Sequence, residues 1–245
     1  MTKSKLWRLI TLFLVIEIVS QSAHIFGTNF HLAARYTMLA FIVVEAALAG
    51  LTLLLNKLLT QVQVPFDRHM TVPQSSYLLF PGFLFLMMTL GTLVSADYTF
   101  KGFIMAVVLT LLVAFFEEYL WRGIILSVVK QYVRSELVLV VGLGALFGLW
   151  HITNAISQPW HETVVQMIEI AGLGMLQTAL MLRTKNLLYP MIMHGLLDFS
   201  GILRNMAEPH GIPYHVAAIV FASYAVPALL FVYLGSKKHE GTSDE

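Results

Sequence analysis

The 245-residue chain is 58% hydrophobic and only 12% charged, with a formal net charge of +1 and no cysteine. So apolar a composition excludes an ordinary soluble domain and describes a polytopic membrane protein. The near-balanced charge offers no basis for nucleic-acid binding, and the lack of cysteine excludes disulfides, Cys-ligated zinc and a thiol nucleophile.

A hydropathy window of about 19 residues predicts eight spans, at 6–26, 32–59, 77–95, 103–129, 137–154, 163–182, 187–203 and 214–234. The first follows Met1-Thr2-Lys3-Ser4-Lys5 with no small-residue cleavage site before His24. It therefore reads as a retained span and not a removed signal peptide. The joints are short, and the longest, 60–76, carries Pro65, Asp67, Arg68, His69 and Pro73. No segment is long enough for a soluble domain, so 1–245 reads as one membrane domain. Eight spans place Lys3, Lys5, Arg8, Lys57, Arg68, Lys130, Arg134, Arg183, Lys185, Lys237 and Lys238 on one side. Only Arg35, Lys101 and Arg204 fall on the other. Cytoplasmic loops are enriched in Lys and Arg, so both termini are expected in the cytoplasm.

Most intramembrane polar residues have a structural reading. Glu17 and Glu45 each sit alone in a span, as carboxyls bonded to a neighbouring helix or kept neutral. Glu169 shares a face with Gln166 and is a candidate for lining a cavity. Gly144 and Gly148 form a small-xxx-small face suited to close helix packing.

The fourth span differs, because Glu117, Glu118 and Arg122 place three formal charges inside an apolar run from Phe103 to Val129. A charge at mid-membrane costs roughly 2.5–3.5 kcal/mol by insertion scales, so it faces a protein interior or a wet cavity and marks function. Glu118 and Arg122, four residues apart, share a helix face and can pair, with the acid on the favourable N-terminal side. Glu117 points about 100° away. Its own i+4 neighbour is Trp121, which cannot neutralise it.

Two further constellations follow. The fifth span ends in Phe147-Gly148-Leu149-Trp150-His151, with Asn154 one turn later, and the seventh contains His194 and Asp198 at i, i+4. At 1.5 Å per residue, Glu118 lies ~18 Å from the cytoplasmic end of its span, His151 ~21 Å, His194 ~12 Å and Asp198 ~18 Å. Acids and imidazoles from three helices thus reach a similar depth. Such a group can activate water, hold a metal or relay protons. A His₂-carboxylate set is a plausible zinc site, yet H-E-x-x-H is absent, since His161-Glu162 is followed by Thr163-Val164-Val165-Gln166. A G-x-S-x-G elbow is absent as well.

The three motifs, Glu117-Glu118…Arg122, Phe147…His151 and His194…Asp198, resemble those of the CPBP intramembrane proteases. This family, also called Abi, includes CAAX prenyl endopeptidases and proteins linked to bacteriocin processing and immunity. The resemblance covers about 103–203. It implies a fold of about eight transmembrane helices around a conical intramembrane catalytic cavity. It also implies Glu117 as the base that activates water, His151 as a residue that holds this water, and His194 with Asp198 as the oxyanion site. Glu118 and Arg122 would support them. The best-known members carry asparagine where this chain has Asp198, and an ionised aspartate cannot donate to an oxyanion. A metal-free glutamate mechanism is expected, with no cofactor and with zinc as the alternative.

The expected function is cleavage of a membrane-associated peptide, prenylated or bacteriocin-like, within the lipid bilayer. The short loops point to a bacterial cell membrane. The competing readings are a non-catalytic immunity or partner-binding membrane protein and a proton-coupled transporter. A scaffold has no reason to keep five costly polar groups, and no internal repeat of the transporter kind is present.

Overall fold

The computed structural model describes residues 3–29, 34–67, 69–205 and 212–240, and among these every regular element is helical. The first helices are α1 (Lys3–Asn29) and α2 (Ala34–Leu55), the latter running into a π-helical turn at Asn56–Thr60. A short α3 (Val72–Ser75) and a 3₁₀ turn lead into α4 (Leu79–Ser95). Helix α5 (Phe100–Glu118) continues through a π-helical stretch, Tyr119–Ile125, into α6 (Leu126–Val129). Then come α7 (Glu136–Trp150) with a 3₁₀ extension at His151–Ile156, α8 (Trp160–Thr184), α9 (Leu188–Asn205) and α10 (Tyr214–Glu240).

Seven helical stretches are long and apolar enough to cross a bilayer, and Leu188–Leu203 is a shorter apolar eighth. The chain is therefore an integral membrane protein of about eight helices, as hydropathy predicts. Helix α5 starts three residues, and α7 one residue, earlier than hydropathy places them. The reason is polar capping: Thr99 accepts from Gly102 N–H at the start of α5, and Ser135 from Val138 N–H at the start of α7. Of the lysines and arginines used for orientation, Arg68 and the side chains of Lys3, Arg35, Arg204, Lys237 and Lys238 lie outside the described residues. So do Met1 and Glu245.

The chain divides into two compact units, the first comprising Met1–Val64, Leu84–Val128 and Met191–His210. Within it α2 packs on α5 and α1 on α2. Asn56, buried at the end of α2, donates to the Tyr119 hydroxyl at 2.8 Å, tying α2 to the residue directly after Glu118. Two contacts hold α9. Thr89 Oγ1 on α4 donates to Leu196 O at 3.1 Å and meets Ser200 Oγ at 3.1 Å. Phe199 meets Phe103 of α5 edge-on, with ring centroids 5.6 Å apart.

The second unit comprises Pro65–Phe83, Val129–Pro190 and Gly211–Glu245, and α8 packs there against both α7 and α10. The close approach of α7 and α8 uses the small face at Gly144 and Gly148, as expected. A Cβ on Gly148 would stand 2.5 Å from Met167 O and 2.7 Å from Ala171 Cβ. Without a hydrophobic force between helices in lipid, such contact is what binds them. Helix α8 ends at Lys185, whose left-handed φ of 52° turns the chain. Asn186 then ties this turn to the 65–67 segment, donating to Asp67 O at 3.0 Å and accepting from Asp67 N–H at 3.1 Å.

Candidate active site

The first unit brings five of the six residues singled out in the sequence to one place. Helix α5 delivers Glu117 and Glu118 at its last turn, the π-helical stretch supplies Arg122, and α9 supplies His194 and Asp198. The expected pair is present: Arg122 Nη1 donates to Glu118 Oε1 at 2.9 Å, with both side chains essentially sealed from solvent. The backbone around it is not the plain α-helix that the spacing predicts. Tyr119–Ile125 is π-helical, a wider turn that recurs at functional sites. One cause of tight fit is local. A Cβ on Gly123 would come within 2.9 Å of Val64 Cγ1, so this turn lies close against the segment after α2.

His194 joins the two helices. Its Nδ1 lies 2.7 Å from Glu118 Oε1, a carboxylate already paired with Arg122, so Nδ1 carries the hydrogen and donates. Its Nε2 faces Asp198 Oδ2 at 3.2 Å and Glu117 Oε2 at 3.7 Å. Two lone pairs cannot make the 3.2 Å contact, so a single proton sits between His194 and Asp198. Gly195 lets α9 lie near the small side chains of α5, since a Cβ there would be 3.5 Å from Thr110 Cγ2 and 4.0 Å from Ala114 Cβ.

The carboxyls differ in access. The Glu118 side chain is 0% exposed, while those of Glu117 and Asp198 are 14% and 21% exposed. Glu118 is committed to two internal cations or donors. Glu117 Oε2 is buried with no hydrogen-bond partner among the described residues. Glu118 Oε2 is buried without such a partner as well, so the acids differ in their other commitments: Glu118 Oε1 bonds Arg122 and His194, and Glu117 has no arginine bond, as the i+4 argument predicts.

His151 belongs to the second unit, at the junction of α7 and its 3₁₀ extension. Its Nδ1 lies 2.9 Å from the Phe147 carbonyl, which only accepts, so Nδ1 carries the hydrogen. In the neutral ring Nε2 is then the acceptor, the state a residue that holds water requires. Phe147, the first residue of the F-x-x-x-H motif, also packs edge-on against the imidazole at 5.2 Å. The motif spacing therefore has a physical meaning: one turn lets residue 147 fix both the tautomer and the plane of the ring. Asn154, one turn on, donates to Gln166 Oε1 at 2.9 Å and so serves the α7–α8 packing.

Glu45, to which the sequence alone gives a structural reading, belongs with this group. Glu45 of α2 interacts electrostatically with Asp198, and Glu117 interacts with both. The signal in the sequence was the stripe Glu45, Thr52, Asn56, three polar residues on one face of an apolar helix.

The family model described as type II CAAX prenyl endopeptidase Rce1-like matches residues 99–200. This segment contains all three motifs, and the family agrees with the CPBP resemblance. No curated protein matches the chain at a significant level.

Proposed function

We propose, from the match of residues 99–200 to the type II CAAX prenyl endopeptidase Rce1-like family model and from the CPBP motifs it spans, that this integral membrane protein hydrolyses a membrane-anchored peptide with water activated by Glu117. The observation that carries the assignment is the inequality of the paired acids. Glu118 Oε1 holds both Arg122 and His194 in a side chain that is 0% exposed, whereas Glu117 makes neither bond and is 14% exposed.

In the proposed reaction the Glu117 carboxylate takes a proton from water as the water oxygen bonds to the peptide carbonyl carbon. The carbonyl π electrons move onto its oxygen, and the proton held between His194 and Asp198 meets this oxyanion. As the C–N bond breaks, the proton on Glu117 passes to the leaving amine, and the resting state returns. Glu118 and Arg122 do not touch substrate; they fix the His194 ring through Nδ1. The family resemblance gives His151 the task of holding the water, and its acceptor Nε2 suits it. The mechanism uses no metal. The Lys/Arg asymmetry supports termini in the cytoplasm, the short loops favour a bacterial membrane, and a prenylated CAAX-type peptide is the first substrate to try.

The test is cleavage of a farnesylated CAAX-type peptide by the protein reconstituted in liposomes, with the product bond identified by mass spectrometry. Wild type should cleave one bond, and Glu117→Gln, expressed at a normal level, should not. Equal rates in the two proteins would remove Glu117 as the base. A folded wild type that leaves the farnesylated peptide and a panel of leader peptides intact would favour the non-catalytic reading.

A further inference from the structure

Helix α2 carries no motif, yet its buried face is polar at both ends. Leu48, Ala49, Thr52 and Asn56 are all buried, while Val43, Ala46, Ala47 and Gly50 on the other side are exposed. Glu45 stands three and four residues before Leu48 and Ala49, so it continues the buried stripe and does not face lipid. That stripe follows α5, the helix on which α2 packs, and its far end is fixed by the 2.8 Å bond from Asn56 to Tyr119. Glu45 therefore lies along the helix that carries the site, near the midpoint of a 22-residue span. Its Oε2 is buried and has no hydrogen-bond partner among the described residues. A buried carboxyl oxygen left in this state costs free energy, so a structural reading supplies no compensation for it.

The charge balance gives it a use. Of the ionisable groups facing this region from α5, its π-helical continuation and α9, Glu118 and Arg122 neutralise one another. Glu117 and Asp198 remain with one imidazole, His194. Glu45 adds a third acid at the depth of Asp198: it stands eleven residues before Asn56 as Val108 stands before Tyr119, and α9 passes this level of α5 between Gly195, where a Cβ would meet Thr110, and Phe199, which meets Phe103. Carboxylates crowded in a medium of low dielectric cannot all be ionised, so each proton in the group depends on the others.

We propose that Glu45 is a positioning residue of the site, acting through Asp198 to keep in place the proton that Asp198 shares with His194. It does not touch substrate. Its effect depends on residue 198 being an acid, because an asparagine there has no proton to lose. The role in catalysis rests on the reading of Glu117, His194 and Asp198 given above, but the coupling itself does not.

A double-substitution cycle tests it without any substrate. Glu45→Gln, Asp198→Asn and the combination are purified in one detergent, and thermal unfolding midpoints are compared with wild type. Direct coupling makes the double change differ from the sum of the single changes by about 2 °C or more. Additivity within about 0.5 °C in folded proteins overturns the inference, whatever the proteolysis assay shows. Where cleavage is measurable, Glu45→Gln should slow kcat about tenfold in the Asp198 background and less than twofold in Asp198→Asn, with Glu45→Asp restoring most of the rate. An equal loss in both backgrounds would make Glu45 merely structural.

Discussion

The two units solve the problem of life in lipid in opposite ways. The first buries Glu118, Arg122 and His194 and pairs them with one another through Glu118 Oε1, at 2.7 and 2.9 Å. The second brings α7 and α8 together through Gly144 and Gly148, where the backbone and Ala171 leave no room for a Cβ. The charge pairing of the first unit is sealed from solvent, whereas the second unit's Arg183–Glu136 pair is partly exposed at the helix ends and its buried contact is made by fit. A charge network can do chemistry because its members have alternative proton states, whereas a glycine contact has only one state. The same substitution logic should therefore give different symptoms in the two halves.

The largest expected effect is on chemistry alone. In the first unit, Asp198→Ala should lower the cleavage rate by about 10²–10³ with the folded fraction unchanged, the scale expected for loss of an oxyanion donor. Asp198→Asn should stay within about tenfold, because an amide N–H stands where the acid's O–H was. Steady-state kinetics on both purified proteins decides the matter, and an Asn variant as slow as the Ala variant would give Asp198 the acceptor role toward His194.

Next come the changes that damage fold and activity together. Glu118→Ala and Arg122→Ala each leave a buried charge without its partner, at about 3–5 kcal/mol, and both should reduce detergent stability and cleavage in parallel. Replacing both residues at once should cost less stability than the sum, since no charge is then stranded. In the second unit, Gly148→Val should lower stability by about 1–3 kcal/mol through overpacking against Met167 and Ala171. Its rate per folded molecule should change little, and that separation, measured by active-site-independent unfolding and kinetics side by side, is the sharpest expression of the contrast.

The smallest expected effect is none. Millimolar 1,10-phenanthroline should leave cleavage within about twofold, and metal analysis of the purified protein should find less than stoichiometric zinc. Loss of activity reversed by added zinc would recast Glu117, His151 and His194 as ligands.

Much of this was legible in the chain because membrane helices write their positions in hydropathy and their charges in exceptions to it. Glu118 with Arg122, and His194 with Asp198, could be read from the i, i+4 rule, since each pair lies on one helix. What spacing could not give was the bond from His194 to Glu118, 76 residues apart. That contact depends on how α9 lies on α5, which is set by Thr89, Phe199 and the bare Gly195. Glu45 escaped for the same reason: a carboxyl alone in its span has no partner within its own helix to announce it. The π-helical stretch was invisible because hydropathy and propensity do not distinguish it from α.

That stretch, Tyr119–Ile125, gives the helix a residue to spare. A π-helical turn holds a residue more than an α-helical turn would need, so a single-residue deletion there can be absorbed by a return to regular α-winding. The chain would stay helical and apolar, and it would still insert. Because the residue removed is the extra one, everything after the deletion would keep its phase against Glu117 and Glu118. The same deletion in the α-helical part of α5 would instead turn the side chains after it by about 100° against those before it. For an engineer shortening or splicing this protein, the segment is therefore the slack in the span, and the regular turns on the outer side of Glu117 are the frame whose residue number sets the phase.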